Sequence, residues 1–154
     1  EALLNSYRIL PPRIYDFKKM MYTPGYAGED FLNMDPYFIS DKKKKEGICL
    51  SVKGLSNGAV AVLYPGVIKK LVEFMDGGFY VVFSSVHEAL IYSSKLCSLE
   101  ELENLLRTSN ARMTFQKEFL TDKVYYYCKE EDKFIMLRGS MKMLVTTIRM
   151  DEEN

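Results

Sequence analysis

Residues 57–94 have the sequence NGAVAVLYPGVIKKLVEFMDGGFYVVFSSVHEALIYSS, which is the most clearly punctuated series of apolar segments in the chain. Residues 59–64 form an apolar run, which predicts a strand that is covered on both faces. Residues 79–83 and 86–92 predict two more strands, joined by a tight connection. With the helix between 59–64 and 79–83, the stretch is a predicted strand–helix–strand–strand unit, which we expect to form the core of the domain.

The helix of this unit has signals at both ends. Pro65 suits the first turn of a helix, because its fixed φ and missing N–H cost little there. The Gly77-Gly78 pair predicts the end of the helix, because glycine readily adopts the C-terminal capping conformation. The apolar residues between these signals recur at helical spacing and are Val67, Ile68, Leu71, Val72 and Met75. We therefore expect Leu71 to be buried.

The segments on either side predict further helices and strands. Alternating apolar residues at 48–53 indicate a half-buried strand, which has a period of two. Ser98 and Glu101 form the S-x-x-E pattern of a capping box, which predicts the start of a helix that ends near Asn110. The other predicted elements are helices at 1–7, 13–22 and 115–120, a charged loop at 41–46, a hairpin of 124–128 with 134–137, and a last strand at 141–150.

These elements predict an α+β fold, with a mostly antiparallel sheet and helices packed mainly on one face. A length of 154 residues fits a single domain. Within 1–154 we expect a lead-in of helices and loops at 1–40, followed by the sheet and its helices at 48–150. Because the chain opens on Glu1 without an initiator Met, we expect it to be the C-terminal part of a longer protein.

The charge and hydropathy of the chain disfavour two classes of partner. Lys plus Arg and Asp plus Glu each total 21, so no basic surplus is present to bind nucleic acid. No apolar run approaches the roughly 20 residues that span a bilayer, so we expect no membrane partner. Nine methionines predict an adaptable core, with a methionine-lined binding surface as the alternative.

The three cysteines are Cys49, Cys97 and Cys128, an odd number at long spacings. A disulfide framework or a Cys-x-x-Cys metal site would show pairs or short spacings. We therefore expect reduced, structural thiols in a cytoplasmic protein, with no metal and no cofactor.

His87, the only histidine, directly precedes Glu88 and is the first catalytic candidate. A zinc protease helix requires H-E-x-x-H, and Ile91 occupies the place of the second histidine. On a strand, His87 and Glu88 would point to opposite faces. Ser84 and Ser85 suggest a serine nucleophile beside an imidazole base, yet the G-x-S-x-G elbow is absent. A hydrogen-bonding role for His87 in fixing the strand or turn is the favoured interpretation.

Three short strings in this stretch carry a resemblance to a known family. They are Asn57-Gly58-Ala59, Leu63-Tyr64-Pro65-Gly66-Val67 and Ser84-Ser85-Val86-His87-Glu88, and the likeness extends more loosely over residues 10–127. The chain resembles a family of uncharacterised bacterial proteins from Gram-positive gut anaerobes, defined as a domain of unknown function. The resemblance implies an architecture, a bacterial source and a further N-terminal region, but no chemistry.

Two hypotheses about function follow. The first is a non-catalytic binding or regulatory module of a cytoplasmic bacterial protein, with a protein or a small molecule as its partner. The alternative is a hydrolase that uses His87 with Glu88 and either Ser84 or Ser85. The oligomeric state is not written in the sequence.

Overall fold

The structure is a computed structural model that describes residues 2–112, 124–138 and 142–144. Its α-helices are α1 (Ala2–Ile9), α2 (Phe17–Tyr22), α3 (Asp41–Glu46), α4 (Val67–Met75) and α5 (Leu99–Arg112), with a 3₁₀ helix at Gly58–Leu63. Its strands are β1 (Pro12–Tyr15), β2 (Glu29–Asp30), β3 (Ile48–Val52), β4 (Phe79–Val82), β5 (Ala89–Ser93), β6 (Val124–Cys128), β7 (Lys133–Arg138) and β8 (Lys142–Leu144).

The strands form one eight-stranded sheet in the order β2-β1-β3-β5-β4-β6-β7-β8. Each pair of neighbouring strands is antiparallel. The predicted α+β class with an antiparallel sheet is therefore confirmed, as is the hairpin of β6 and β7.

Alternate residues of the central strands enter two hydrophobic clusters, because neighbouring residues of a strand point to opposite faces. Val81 belongs to the larger cluster, which contains Leu71 of α4 and side chains of the 3₁₀ helix. Val82 belongs to the smaller cluster, which contains Leu102 of α5. The main core thus lies on one face, and α5 covers part of the other. Leu71 is fully buried, as its place in the helix pattern predicted.

The prediction of a strand at 59–64 is wrong, because Gly58–Leu63 forms a 3₁₀ helix that packs on the sheet. Ala61 and Val62 are fully buried there. A short apolar run that is covered on several sides looks the same in sequence whether it is a strand or a helix. The first strand of the strand–helix–strand–strand unit is therefore β3, and the unit continues through α4, β4 and β5.

The predicted helix at 13–22 is also wrong in its first part. Residues Pro12–Tyr15 form β1 and pair with both β2 and β3, so segment 1–40 contributes two strands to the sheet. The helix begins only after Asp16, whose side chain accepts hydrogen bonds from the backbone N–H groups of Lys18 and Lys19. The apolar spacing that suggested one helix spans a strand, a cap and a shorter helix.

The charged segment at 41–46 is helix α3 rather than a loop. Ser40 caps its N-terminus, and Gly47 follows it with a φ of 103°, which glycine tolerates. Lysine and glutamate are good helix formers, and the pair Lys42–Glu46 has the favourable i,i+4 spacing.

The predicted start of α5 is correct, and its predicted end is not. The capping box of α5 is confirmed, since Ser98 N donates to Glu101 Oε2 at 2.9 Å and Glu101 N donates to Ser98 Oγ at 3.2 Å. Helix α5 continues to Arg112, past the predicted end at Asn110. The predicted helix at 115–120 and most of the predicted strand at 141–150 lie outside the described residues.

Candidate functional site

The four catalytic candidates lie in the loop between β4 and β5, not on a strand. Strand β5 begins at Ala89 rather than at residue 86. His87 and Glu88 therefore lie before the strand, and the expectation that they point to opposite faces of the sheet does not apply to them. The reason is local: the backbone N–H of His87 donates to the Ser85 hydroxyl at 3.0 Å. A serine that bonds the backbone two residues ahead stabilises a turn, and the chain enters the sheet only afterwards.

His87 connects this loop to the turn that precedes the 3₁₀ helix. The backbone N–H of Asn57 donates to Nδ1 of His87 at 3.1 Å. Because Nδ1 is the acceptor, the neutral imidazole carries its proton on Nε2. The backbone carbonyl of His87 accepts a hydrogen bond from the Ser51 hydroxyl of β3. The side chain and the backbone carbonyl of His87 thus each bond a segment that is far away in sequence.

Ser84 and Glu88 face each other across the same loop, where the Ser84 hydroxyl donates to Glu88 Oε1 at 2.9 Å. Ser85 is buried, and its hydroxyl holds the His87 N–H described above. A serine nucleophile requires a base that accepts its proton, usually an imidazole. The Ser84 proton is directed instead to a carboxylate, in a hydrogen bond that closes the loop.

Gly58 sits where this loop, β3 and the 3₁₀ helix meet. A Cβ atom at this position would lie 2.0 Å from Ser51 Oγ, 2.7 Å from Val52 N and 2.8 Å from His87 O. Next to it, Ala59 N donates to Val86 O at 3.1 Å. The strings 57–59 and 84–88, which carried the family resemblance, are therefore packed against each other in the structure.

The contacts of Ser51 and Gly58 with the loop at 84–88 were not predicted from the sequence. Asn-Gly pairs such as Asn57-Gly58 are typical of turns, but no local pattern shows which distant backbone a glycine will contact.

No three or more His, Cys, Asp or Glu side chains come together as a metal site within residues 2–112, 124–138 and 142–144. Cys49 and Cys97 are buried and, like the half-buried Cys128, form no disulfide. Burial raises the pKa of the Cys49 thiol to about 12, and the Glu88 carboxylate adds to the shift. The Cys49 thiol therefore stays protonated at neutral pH, which makes it a poor nucleophile.

A second candidate site lies on α2. This helix has the sequence FKKMMY, in which four of the six residues are apolar, yet none of its residues is buried. Met21 is 75% exposed and Tyr22 78% exposed, and Phe38 on a nearby loop is 63% exposed. We call this region the α2 surface, and we define it as Phe17, Met20, Met21, Tyr22 and Phe38.

Two cavities adjoin the α2 surface. The larger, here the α2 cleft, has a volume of about 600 Å³ and lies between α2 and α3, with Phe17 and Phe38 in its lining. Its floor consists of buried apolar side chains, namely Ile14, Met34, Ile39 and Ile48. The smaller cavity measures about 320 Å³ and is lined by Met20, Met21 and Tyr22. Tyr15 and Tyr26 contribute to both cavities, so the two are neighbours along α2.

The charged lining of the α2 cleft has one more ammonium group than carboxylates. The cleft is lined by the lysines Lys18, Lys19, Lys42 and Lys43 and by the acids Asp16, Glu29 and Glu46. Lys43 forms an ion pair with Asp16 and lowers the pKa of the Asp16 carboxyl. Lys19 pairs with Glu29 at 3.0 Å. Lys18 makes no ion pair within the described part of the chain, so its charge is open to a partner.

The α2 surface was not predicted from the sequence. The residues Phe17, Met20 and Met21 belong to the apolar spacing that predicts a helix at 13–22, and the alternative of a methionine-lined binding surface has no position attached to it. In addition, no helix within the described residues has the length and apolarity that a membrane crossing requires.

Comparison with known proteins gives a family but no activity. A family model described as a family of unknown function (DUF5688) matches residues 1–129, which extend from α1 to the end of β6. No curated protein matches the chain. No solved structure matches it either.

Proposed function

We propose that this protein, which belongs to the DUF5688 family, is a non-catalytic binding module whose binding site is the α2 surface with the α2 cleft. The observation that carries the proposal is that an apolar helix lies on the surface without a single buried residue.

Apolar side chains that stay exposed do not contribute the free energy that their burial would add to stability. Full burial of a Phe or Met side chain contributes about 1.5–3 kcal/mol relative to leaving it exposed. Helix α2 has only six residues, too few to be stable on its own in water. It is held instead by its Asp16 cap and by the pair of Lys19 with Glu29. A helix held in place with its apolar side chains outward is typical of an interaction site.

The loop at 84–88 supports a structural role for the catalytic candidates. The named hydrogen bonds of Ser84, Ser85 and His87 join the loop to itself and to Asn57. The alternative function is the hydrolase that uses His87 with Glu88 and Ser84 or Ser85. It requires a serine proton to pass to an imidazole, and the bond from Ser84 to Glu88 does not provide that path.

The proposal also includes a source and a location. The family resemblance supports a bacterial protein, and the three cysteines without disulfides support a reducing compartment such as the cytoplasm. The net charge of zero supports a partner other than nucleic acid.

Methionine methyl NMR tests the proposed site directly. The nine methionines, labelled with ¹³C at their methyl groups, are titrated with a library of small aromatic and aliphatic fragments. We expect fragments to shift the signals of Met20, Met21 and Met34, which line the two cavities, and to leave that of the buried core residue Met75 unchanged.

A matched pair of variants completes this test. Met21→Asp should abolish these shifts, whereas Ile9→Asp, at a residue of α1 that is 76% exposed, should not. Fragments that bind without moving Met20, Met21 or Met34 would contradict the proposal. So would a hydrolytic activity that is lost in His87→Ala while the fold stays stable.

A further inference from the structure

We infer that the occupant of the α2 surface is a segment of a partner protein that carries two apolar anchor side chains flanked by Asp or Glu. The inference rests on the proposed function and adds the chemistry of the partner to it.

The arrangement of the two cavities indicates a chain rather than a compact ligand. The α2 cleft and the smaller cavity follow each other along α2 and share Tyr15 and Tyr26 in their linings. A volume of about 600 Å³ is enough to receive a large side chain with part of its backbone. The smaller cavity, of about 320 Å³, is suited to a second anchor. Apolar anchors that fill such pockets supply most of the binding energy in protein interfaces.

The charges at the cleft determine what flanks those anchors. The two carboxylates nearest to α2 are already engaged, because Asp16 caps the helix and pairs with Lys43, and Glu29 pairs with Lys19. Lys42 is highly exposed and lies 3.8 Å from its partner Glu46, which is a loose pair. Glu46 is exposed as well, so this pair leaves no net charge. Lys18, which has no ion pair within the described residues, supplies the one excess positive charge of the lining, and this charge favours a carboxylate on the partner.

The depth of the cleft argues for a peptide over an anionic membrane. Lysines beside exposed aromatic and methionine side chains also suit a lipid headgroup layer. A flat membrane surface, however, does not reach residues at the bottom of the cleft such as Ile14 and Ile48, which are less than a tenth exposed. A protruding side chain does reach them.

Selection from a displayed library of random 12-residue peptides tests the inference. The full chain serves as the target, and Met21→Asp serves for counter-selection. The dissociation constants of the enriched peptides are then compared on the wild type, on Lys18→Glu/Lys42→Glu, and on the control Lys69→Glu/Lys129→Glu. The two double variants have the same net charge, and Lys69 and Lys129 line neither cavity.

We expect enriched peptides that contain two aromatic or long aliphatic residues with Asp or Glu beside them. Their dissociation constants should rise at least about five-fold on Lys18→Glu/Lys42→Glu, remain within about two-fold on the control, and increase with salt, because rim charges act through screened attraction.

Four other outcomes overturn the inference, and they separate it from the proposed function. Peptides that are lost on Met21→Asp but have no acidic bias refute the charge argument alone. Failure to enrich any such peptide, with fragments still binding at Met20 and Met21, shows a small-molecule site. Sedimentation with phosphatidylglycerol vesicles that Met21→Asp abolishes shows a membrane site. If neither peptides nor fragments nor vesicles bind at α2, the inference and the proposed function both fail.

Discussion

Gly58→Ala is the substitution that most directly tests how the loop at 84–88 is held. The added methyl group would lie 2.0 Å from Ser51 Oγ and within 3 Å of two backbone atoms, the Val52 nitrogen and the His87 oxygen. The backbone atoms belong to β3 and to the loop, so only the Ser51 hydroxyl is able to rotate away. Its rotation breaks the hydrogen bond to His87 O.

Two costs therefore add. Inserting a methyl group into a packed site costs about 1–3 kcal/mol. Leaving the partly buried carbonyl of His87 without its donor costs about 1–3 kcal/mol. We expect Gly58→Ala to lower the free energy of unfolding by about 2–5 kcal/mol, the sum of these terms less a small gain from a stiffer unfolded chain.

Urea denaturation of Gly58→Ala, Ser51→Ala and the double variant measures this. Ser51→Ala removes the nearest atom, so Gly58→Ala should cost at least about 1 kcal/mol less in that background. Gly25→Ala is the control, since Gly25 has a φ of 75° and, apart from its two neighbours in the chain, no described residue has a heavy atom within 4 Å of the added methyl. It should cost about 1 kcal/mol from backbone strain alone. A loss below about 0.5 kcal/mol for Gly58→Ala would refute the packing of loop, strand and 3₁₀ helix around this glycine.

Further predictions concern the core, the loop, metals and alkaline pH. Leu71→Ala, at a fully buried site, should cost about 2–5 kcal/mol in urea unfolding, and a loss under about 0.5 kcal/mol would contradict the packing of α4. His87→Ala should cost about 1 kcal/mol, because the exposed Asn57 N–H turns to water, and should leave any hydrolytic activity unchanged. Dialysis against a strong chelator should not move the thermal midpoint, whereas a drop that zinc restores would reveal a metal site. Burial raises the pKa of Cys49 from 9.0 and of Tyr92 from 10.0 to about 12 each, so both stay protonated in the fold while the unfolded chain ionises. The contribution of these two groups to stability should therefore be fully present below pH 9.0 and be lost as the pH rises toward about 12, and a flat profile of urea midpoints over that window would contradict this.

The elements predicted correctly are those that local signals define. The capping box at Ser98 and Glu101 and the hairpin of β6 and β7 each depend on residues close in sequence, and both are present. The run at 59–64 predicts a strand wrongly, because an entirely apolar segment has no periodicity that distinguishes strand from helix. Its conformation depends on the contact of Gly58 with β3 and His87, which no local window contains.

The candidate sites were less predictable than the fold. The residues His87, Glu88, Ser84 and Ser85 do lie together, because they are adjacent in sequence. The partner Asn57, 30 residues away, depends on the tertiary structure. The α2 surface escaped prediction for the opposite reason. An apolar helix pattern implies burial, and only the tertiary structure shows that no element among the described residues buries a residue of α2.

The position of β1 has a consequence for the handling of this protein. Strand β3 has the sequence ICLSV, all five of its residues are buried, and it is hydrogen-bonded to β1 on one side and β5 on the other. Deletion of residues 1–40 would remove β1 and leave one edge of β3 without hydrogen-bonding partners. An apolar, uncharged strand with an exposed edge can pair with strands of other chains and form cross-β aggregates. We therefore expect shortened versions of the chain to stay free of such aggregation only if they retain at least β1.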